Sequence, residues 1–203
     1  MPVLTNMTND PRVAIRALKA GSPVIFPTDT LYGLGVSVRD ADSPEILYEL
    51  KARPTRKPVA WLVDGVDALS TYGINVPDFA FALARTFWPG PLTIIVEASS
   101  AVPEAFRSAE GTIGLRCPKG ELAQQLIAEL GCPIATTSAN PSGKKPPKSV
   151  EGLDTNLCAG VACVITDEEE KSGIASTIVD CTLEHPVLTR EGSISIEEIR
   201  AKS

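Results

Sequence analysis

The sequence predicts an α/β fold built on a mixed sheet. Three observations carry that expectation. Helical and extended patterns alternate along most of the chain, and the last third is strand-rich without long helices. Segments rich in hydroxyl and basic side chains also sit directly after strands, where open α/β sheets take their ligands. The short strands near the end argue for a mixed sheet, since a wholly parallel one needs a crossover between each pair.

Each element follows from local chemistry. Asp10 and Pro11, then Val13, Ile15, Ala17 and Leu18, then Gly21, supply a cap, a first-turn proline, an apolar stripe and a stop, which predicts a helix. Residues 24–26 form a short buried strand closed by Pro27. A second extended run covers 31–38, where Gly33 and Gly35 let backbone or ligand approach closely. Ser43 and Pro44 open a helix whose Ile46, Leu47 and Leu50 share a face, and Pro54 halts it at Arg53. A strand is predicted at 59–63. Pro77 then starts a helix through Phe79, Leu83 and Phe87, ended by Trp88-Pro89-Gly90-Pro91. Strands follow at 92–97 and 112–116, and a helix at 121–130 is closed by Gly131. The strand at 133–136 runs into a polar stretch over 137–148, and strands at 161–166, 176–180 and 187–189 complete the set. Neither a repeat nor a linker interrupts the pattern, so a single domain over residues 1–203 is expected.

Bulk composition narrows the function classes. Hydrophobic residues at 43% and charged residues at 22% are ordinary for a soluble globular protein. No apolar run approaches the roughly 20 residues that span a bilayer, and the N-terminus lacks a signal peptide's basic start and apolar core. A cytoplasmic protein without membrane contact is expected. The net charge of −6 disfavours non-specific binding of nucleic acid over the whole surface, while leaving room for a local basic pocket. Charge is indeed uneven: four of the seven residues in 51–57 are basic, and 167–170 is wholly acidic. The five cysteines form no C-x-x-C and have aliphatic neighbours, as buried free thiols do. With His185 the only histidine, a Cys/His zinc site and an H-E-x-x-H helix are ruled out; no metal-ligating residue is assigned.

Two segments carry chemistry, each with a plainer alternative. The cations of Lys51-Ala52-Arg53-Pro54-Thr55-Arg56-Lys57 would be gathered by a polyanion such as a triphosphate, or would solvate a helix end. The run Thr136-Thr137-Ser138-Ala139-Asn140 can offer donors to phosphate, carboxylate or ribose, or can form a polar turn. Neither G-x-x-x-x-G-K-[ST] nor G-x-G-x-x-G occurs, so those nucleotide motifs contribute nothing. The turn Pro27-Thr28-Asp29-Thr30, together with Arg116, Ser176 and Arg190, follows the same logic; Asp29 is read as an Asx-turn cap ahead of a base or metal ligand.

Taken in order, seven segments resemble one family. They are Pro27-Thr28-Asp29-Thr30-Leu31-Tyr32-Gly33-Leu34-Gly35, Lys51-x-Arg53-Pro54-x-x-Lys57-Pro58, Trp88-Pro89-Gly90-Pro91-Leu92-Thr93, Gly114-Leu115-Arg116, Ser138-Ala139-Asn140-x-Ser142-Gly143, Ser176-Thr177-Ile178-Val179-Asp180, and Leu188-x-Arg190-x-Gly192. Together they resemble the YrdC-like family from about residue 10 to the end. The resemblance implies a twisted open mixed sheet flanked by helices, with a concave basic ligand pocket. It implies a nucleotidyltransferase that forms threonylcarbamoyl-AMP and pyrophosphate from L-threonine, bicarbonate or CO2, and ATP. The product would serve threonylcarbamoyladenosine synthesis in tRNA through a separate, downstream tRNA threonylcarbamoyl transferase.

Residue by residue, the resemblance makes Lys51, Arg53, Ser138 and Asn140 the catalytic tetrad. It gives ATP contacts to Arg53, Lys57, Ser138 and Arg190, and threonine contacts to Thr30, Thr112, Arg116, Thr136 and Ser176. ATP enters as a substrate, with Mg2+ carried on its phosphates rather than in a protein cage. The alternative is an RNA-binding or ribosome-associated protein of the same fold, with weak RNA affinity through Lys144, Lys145 and Lys148. Three positions depart from the family pattern: Pro146 and its neighbours replace a serine, Ala175 replaces a proline before Ser176, and Leu62 stands where some relatives have histidine.

Overall fold

The computed structural model describes residues 6–52 and 58–202. Its centre is an eleven-stranded mixed sheet. The strands are β1 (Met7–Thr8), β2 (Val24–Pro27), β3 (Tyr32–Ser37), β4 (Ala60–Leu62), β5 (Gly73–Ile74), β6 (Leu92–Ala98), β7 (Thr112–Arg116), β8 (Ile134–Ser138), β9 (Cys163–Ile165), β10 (Thr177–Asp180) and β11 (Val187–Arg190). Their order is β1-β9-β2-β3-β8-β4-β7-β6-β10-β11, with β5 on β6. β9 runs parallel to both β1 and β2; β4 with β7 and β6 with β10 are the other parallel pairs. The remaining pairs are antiparallel, so the mixed sheet is as expected.

Side-chain alternation explains how the helices lie on it. Cross-strand partners share a face, and successive residues alternate between faces. On one face Leu34, Val36, Trp61, Val63, Ile94, Ile113 and Leu115 are all buried. They join a cluster with Leu47 of α2 (Glu45–Leu50), Leu69 of α3 (Ala68–Tyr72) and Leu83 of α4 (Asp78–Phe87). Trp61 is fully enclosed, with Tyr72 and Phe106 edge-on at ring-centroid distances of 5.2 and 5.7 Å. The opposite face is covered at one end by α1 (Pro11–Lys19) and α5 (Glu121–Leu130). There Ile15, Leu18, Leu126 and Ile127 pack on Phe26, Leu62 and Ile134. Among the described residues, the rest of that face carries mainly small and polar side chains and no helix covers it.

Two helix ends match the sequence reading, whereas α2 stops at Leu50, short of the expected Arg53. Asp10 caps α1 by accepting from the Arg12 amide at 3.0 Å, and Gly131 closes α5 with a left-handed φ of 65°. Five elements escape sequence reading: β1, α3, β5, α6 (Thr155–Ala159) and α7 (Ile196–Arg200). Each has five residues or fewer, too short for a period to register.

The thiols behave as expected for a reduced interior. Cys117, Cys158, Cys163 and Cys181 are buried and free, while Cys132 is partly exposed. Burial pushes the Cys163 thiol up to about 11 and the Cys181 thiol up to about 12. Alkylation needs thiolate and access. Iodoacetamide at pH 8 should therefore label Cys132 first in the native protein, and Cys163 and Cys181 only after denaturation. Mass spectrometry of tryptic peptides reads the order; native labelling of Cys181 ahead of Cys132 would contradict the packing.

Candidate active site

The open part of the sheet forms the floor of a cavity of roughly 230 Å³. Register places its residues on one face. Gly35 pairs with Thr136, which also pairs with Ala60, and Ala60 pairs with Gly114. One pleat away, Leu62 pairs with Arg116, Thr93 with Ile178, and Ile178 with Arg190. The same strands that bury large apolar side chains behind the sheet thus present Gly, Ala, Thr and Arg in front. Small residues here are a steric requirement. A Cβ on Gly35 would sit 2.7 Å from Ile134 Cγ2 and 3.0 Å from Thr136 Oγ1.

Arg116, Ser138 and Arg190 are the last residues of β7, β8 and β11 and line the cavity, in keeping with the expected strand-end placement. Thr136 lies inside β8 and lines it from the sheet surface.

Arg116 anchors one wall. It is 7% exposed, and three of its N–H groups are committed. Nε donates to the Gly90 carbonyl at 3.1 Å, Nη1 to Thr30 Oγ1 at 3.0 Å, and Nη2 to Asp29 Oδ1 at 2.7 Å. A guanidinium has five such donors in a planar fork, so two remain for a ligand. Burial lowers this guanidinium's hold on its proton, opposed by the Asp29 carboxylate beside it. Asp29 is therefore not the Asx-turn cap that the sequence suggests, its carboxylate being turned to Arg116. It also accepts from the Lys119 amide at 3.2 Å and ties the β2–β3 turn to the end of β7. The turn itself is capped by Thr28, whose Oγ1 accepts from the Thr30 and Leu31 amides, each at 3.3 Å.

The second wall is built from β10 and β11. Arg190 Nη2 donates to the Ser176 carbonyl at 2.7 Å and to Ser176 Oγ at 3.1 Å, with Nε reaching the same carbonyl at 3.1 Å. Partial burial and the nearby Arg116 charge both lower the Arg190 proton affinity. Two guanidiniums that disfavour each other across a cavity suit an anionic guest. Gly192 lets this hairpin close, because a Cβ there would meet the Ala175 carbonyl oxygen at 2.2 Å.

A third group lies at the end of β8. Lys51, 3% exposed at the C-cap of α2, donates through Nζ to the Ser138 carbonyl and to Asn140 Oδ1 at 3.3 Å. Asn140 Nδ2 donates to the carbonyls of Pro141 and Lys144, and the Ser142 amide donates to the Lys51 carbonyl. Lys51, Ser138 and Asn140 are thus brought together, with Ser138 lining the cavity. Arg53 and Lys57 lie outside the described residues.

Of the remaining expected contacts, Thr30, Arg116, Thr136, Ser138, Ser176 and Arg190 all line the cavity. Thr112 does not. It starts β7, two pleats from Arg116, and its hydroxyl pairs with Ser108 Oγ at 2.8 Å. The three departures noted in sequence, Leu62, Pro146 and Ala175, are lining residues too. Sequence reasoning missed Thr93 and did not assign Thr28 a site role. Thr93 is 4% exposed and its hydroxyl meets Ser176 Oγ at 2.9 Å. The available signal was a hydroxyl in an otherwise apolar strand, which must find a partner when buried.

The chain is thus an α/β protein whose cavity is lined by two arginines among six or more hydroxyls, chemistry suited to an anionic guest. Comparison with known proteins narrows this. Residues 16–192 match the Sua5/YciO/YrdC family model, described as "Telomere recombination". The chain belongs to that family. It is 36% identical over 188 residues to the threonylcarbamoyl-AMP synthase of Pyrococcus abyssi, covering 93% of this chain and 55% of that one. The Bacillus subtilis threonylcarbamoyl-AMP synthase is 36% identical over 197 residues, 96% of this chain and 57% of the relative. The structure of P. abyssi Sua5 complexed with L-threonine superposes with a TM-score of 0.88 at 35% identity, over 94% of this chain and 56% of that chain. The chain therefore spans about half the length of these relatives.

Proposed function

We propose that the chain is a threonylcarbamoyl-AMP synthase, joining L-threonine, CO2 or bicarbonate, and ATP. The observation that carries this is the cavity wall in which Arg116, fixed by Asp29 and Thr30, keeps two donors for a carboxylate. The named relatives, the longest of these matches covering nearly the whole chain, support the same reading.

The chemistry suits these side chains. The threonine amine, as its free base, adds to the carbon of CO2, and the nitrogen releases a further proton to solvent to leave a carbamate. A carbamate oxygen then attacks the α-phosphorus of ATP, the bond to the bridging oxygen breaks, and pyrophosphate leaves. Such a displacement needs positioned reactants and neutralised charge more than a strong base. In this reading Arg116 holds the threonine carboxylate, Thr30, Thr136 and Ser176 orient its polar groups, and Arg190 with Ser138 meets the nucleotide. Arg53 and Lys57 complete the phosphate clamp. Lys51 and Asn140 act on Ser138 from behind. Magnesium would arrive on the phosphates of ATP, because Asp29, the carboxylate beside the cavity, is committed to Arg116.

The product is a mixed anhydride that a tRNA-modifying transferase would consume, which assigns the protein to the cytoplasm. No described helix is long and apolar enough to cross a membrane. The test is direct. Mg·ATP, bicarbonate and L-threonine together should yield pyrophosphate and a threonylcarbamoyl adenylate, with little from L-serine and none when bicarbonate is omitted. Equal pyrophosphate release without threonine would end the proposal.

A further inference from the structure

Two irregularities meet at the wall that carries Arg190. In the β10–β11 hairpin Asp180 pairs with Val187 and Val179 with Leu188, but Ile178 pairs with Arg190, so Thr189 is passed over. One extra residue on one strand is a β-bulge, and it changes which way the next side chain faces. Val179 and Leu188 pack in the core behind the sheet. A regular ladder would set Thr189 opposite Ile178 and turn Arg190 back toward the core, opposite Thr177. The bulge instead places Arg190 beside Ile178, and both line the cavity. Arg190 commits its Nε proton and both Nη2 protons to Ser176, which leaves the two protons of Nη1 for a ligand.

Thr177 fastens the chain just beyond the bulge. It is fully buried and is not among the residues lining the cavity. Its hydroxyl donates to the Ile194 carbonyl at 2.7 Å and accepts from the amides of Gly192 at 3.0 Å and Ile194 at 2.9 Å. One proton and two lone pairs are thus all in use. The Ser193 amide adds a bond to the Ala175 carbonyl at 3.1 Å, so residues 192–194 lie fixed along 175–177.

We propose that Thr177 is a positioning residue for the nucleotide: it holds the turn that locks the bulge, keeps Arg190 on the cavity face, and so sets affinity for ATP and not for L-threonine. This rests on the proposed function, in which Arg190 meets the nucleotide. Without the hydroxyl, two amides and a carbonyl of the turn lose their partner. Glu191 and Ser193 are exposed, so the turn can move outward to find water, and Arg190 moves with it. Ser176 is held separately. The Thr177 amide donates to the Pro91 carbonyl at 2.9 Å, and Ser176 Oγ meets the Thr93 hydroxyl at 2.9 Å.

The experiment measures the ATP KM from pyrophosphate release, and L-threonine binding by calorimetry, in the wild type, Thr177→Val, Thr177→Ser, Arg190→Met and the Thr177→Val/Arg190→Met pair. Thr177→Val keeps the shape without the hydroxyl; it should raise the ATP KM about tenfold and leave L-threonine affinity within about twofold. Thr177→Ser keeps the hydroxyl and should restore the ATP KM. Arg190→Met should raise the ATP KM at least as much, and adding Thr177→Val to it should cost little more, because Thr177 acts through Arg190. Gly192→Ala displaces the same turn from its other side, which carries the comparison should Thr177→Val fail to fold. An unchanged ATP KM in Thr177→Val, equal weakening of both substrates, or penalties that multiply in the double variant would overturn the inference. An unchanged ATP KM in Arg190→Met would overturn the nucleotide role of Arg190 instead, and absence of threonine-dependent pyrophosphate release by the wild type would overturn the proposed function.

Discussion

An Arg116→Lys enzyme is expected to lose most of its use of L-threonine while keeping its affinity for ATP. The threonine KM should rise by about tenfold to a hundredfold, with kcat falling as well. Arg116 spends one N–H each on Gly90, Thr30 and Asp29, and still has two for the substrate. Lysine brings three donors on a single nitrogen, so satisfying the existing partners leaves none for a carboxylate. The charge is retained, which limits the damage to the fold. Arg116→Met separates the two effects. It strips Asp29 of its ion pair, and loss of one partner of a buried pair costs about 3 kcal/mol in folding stability; here the carboxylate's side chain is 17% exposed, so partial hydration reduces that loss. Kinetics with each substrate varied, alongside urea unfolding, check both halves. An unchanged threonine KM in Arg116→Lys would mean that the carboxylate is held elsewhere.

Sequence and structure agree best where a pattern had room to repeat. The strand Thr112-Ile113-Gly114-Leu115-Arg116 alternates perfectly: Ile113 and Leu115 are buried behind the sheet, and Arg116, on the other face, lines the cavity. The Asp10 cap and the Gly131 stop were legible for a different reason: each is a single residue with one strong local preference. The site was legible as a set of segments but not as a surface. Nothing local says that Thr136 faces Gly35 and Ala60, since that depends on strand register. Thr93 was invisible because its partner is Ser176, 83 residues away. Asp29 was underestimated for the same reason, its partner Arg116 being 87 residues away. Hydroxyl and carboxylate roles set by long-range partners are decided by topology, which one sequence states only indirectly.

Of the basic segment, which sequence alone reads as either a phosphate clamp or a solvated helix end, Lys51 lies inside the fold. Lys51 is neither solvated nor simply a clamp. Its ammonium is enclosed between the Ser138 carbonyl and Asn140 Oδ1, and Ala52 follows with a φ of 48°, a left-handed conformation that alanine adopts only at a cost of about 1 kcal/mol or more. The chain thus turns sharply at Ala52, just after the inward-directed Lys51. From this, Lys51→Met is expected to lower turnover by about a hundredfold. Asn140 Oδ1 would lose its charged donor and the Ser138 carbonyl would keep only the Asn140 amide, which should cost about 2 kcal/mol of stability. Because Lys51 bonds the backbone of Ser138, the defect should appear in the ATP KM as well as in kcat, and L-threonine binding without nucleotide should stay near wild type. Lys51→Arg should rescue little, since a 3% exposed site has no room for a planar guanidinium. Pyrophosphate release with ATP varied, threonine calorimetry and thermal unfolding measure the three consequences. Wild-type turnover in Lys51→Met would show that the end of β8 is held well enough without its lysine, and that Ser138 needs no such support.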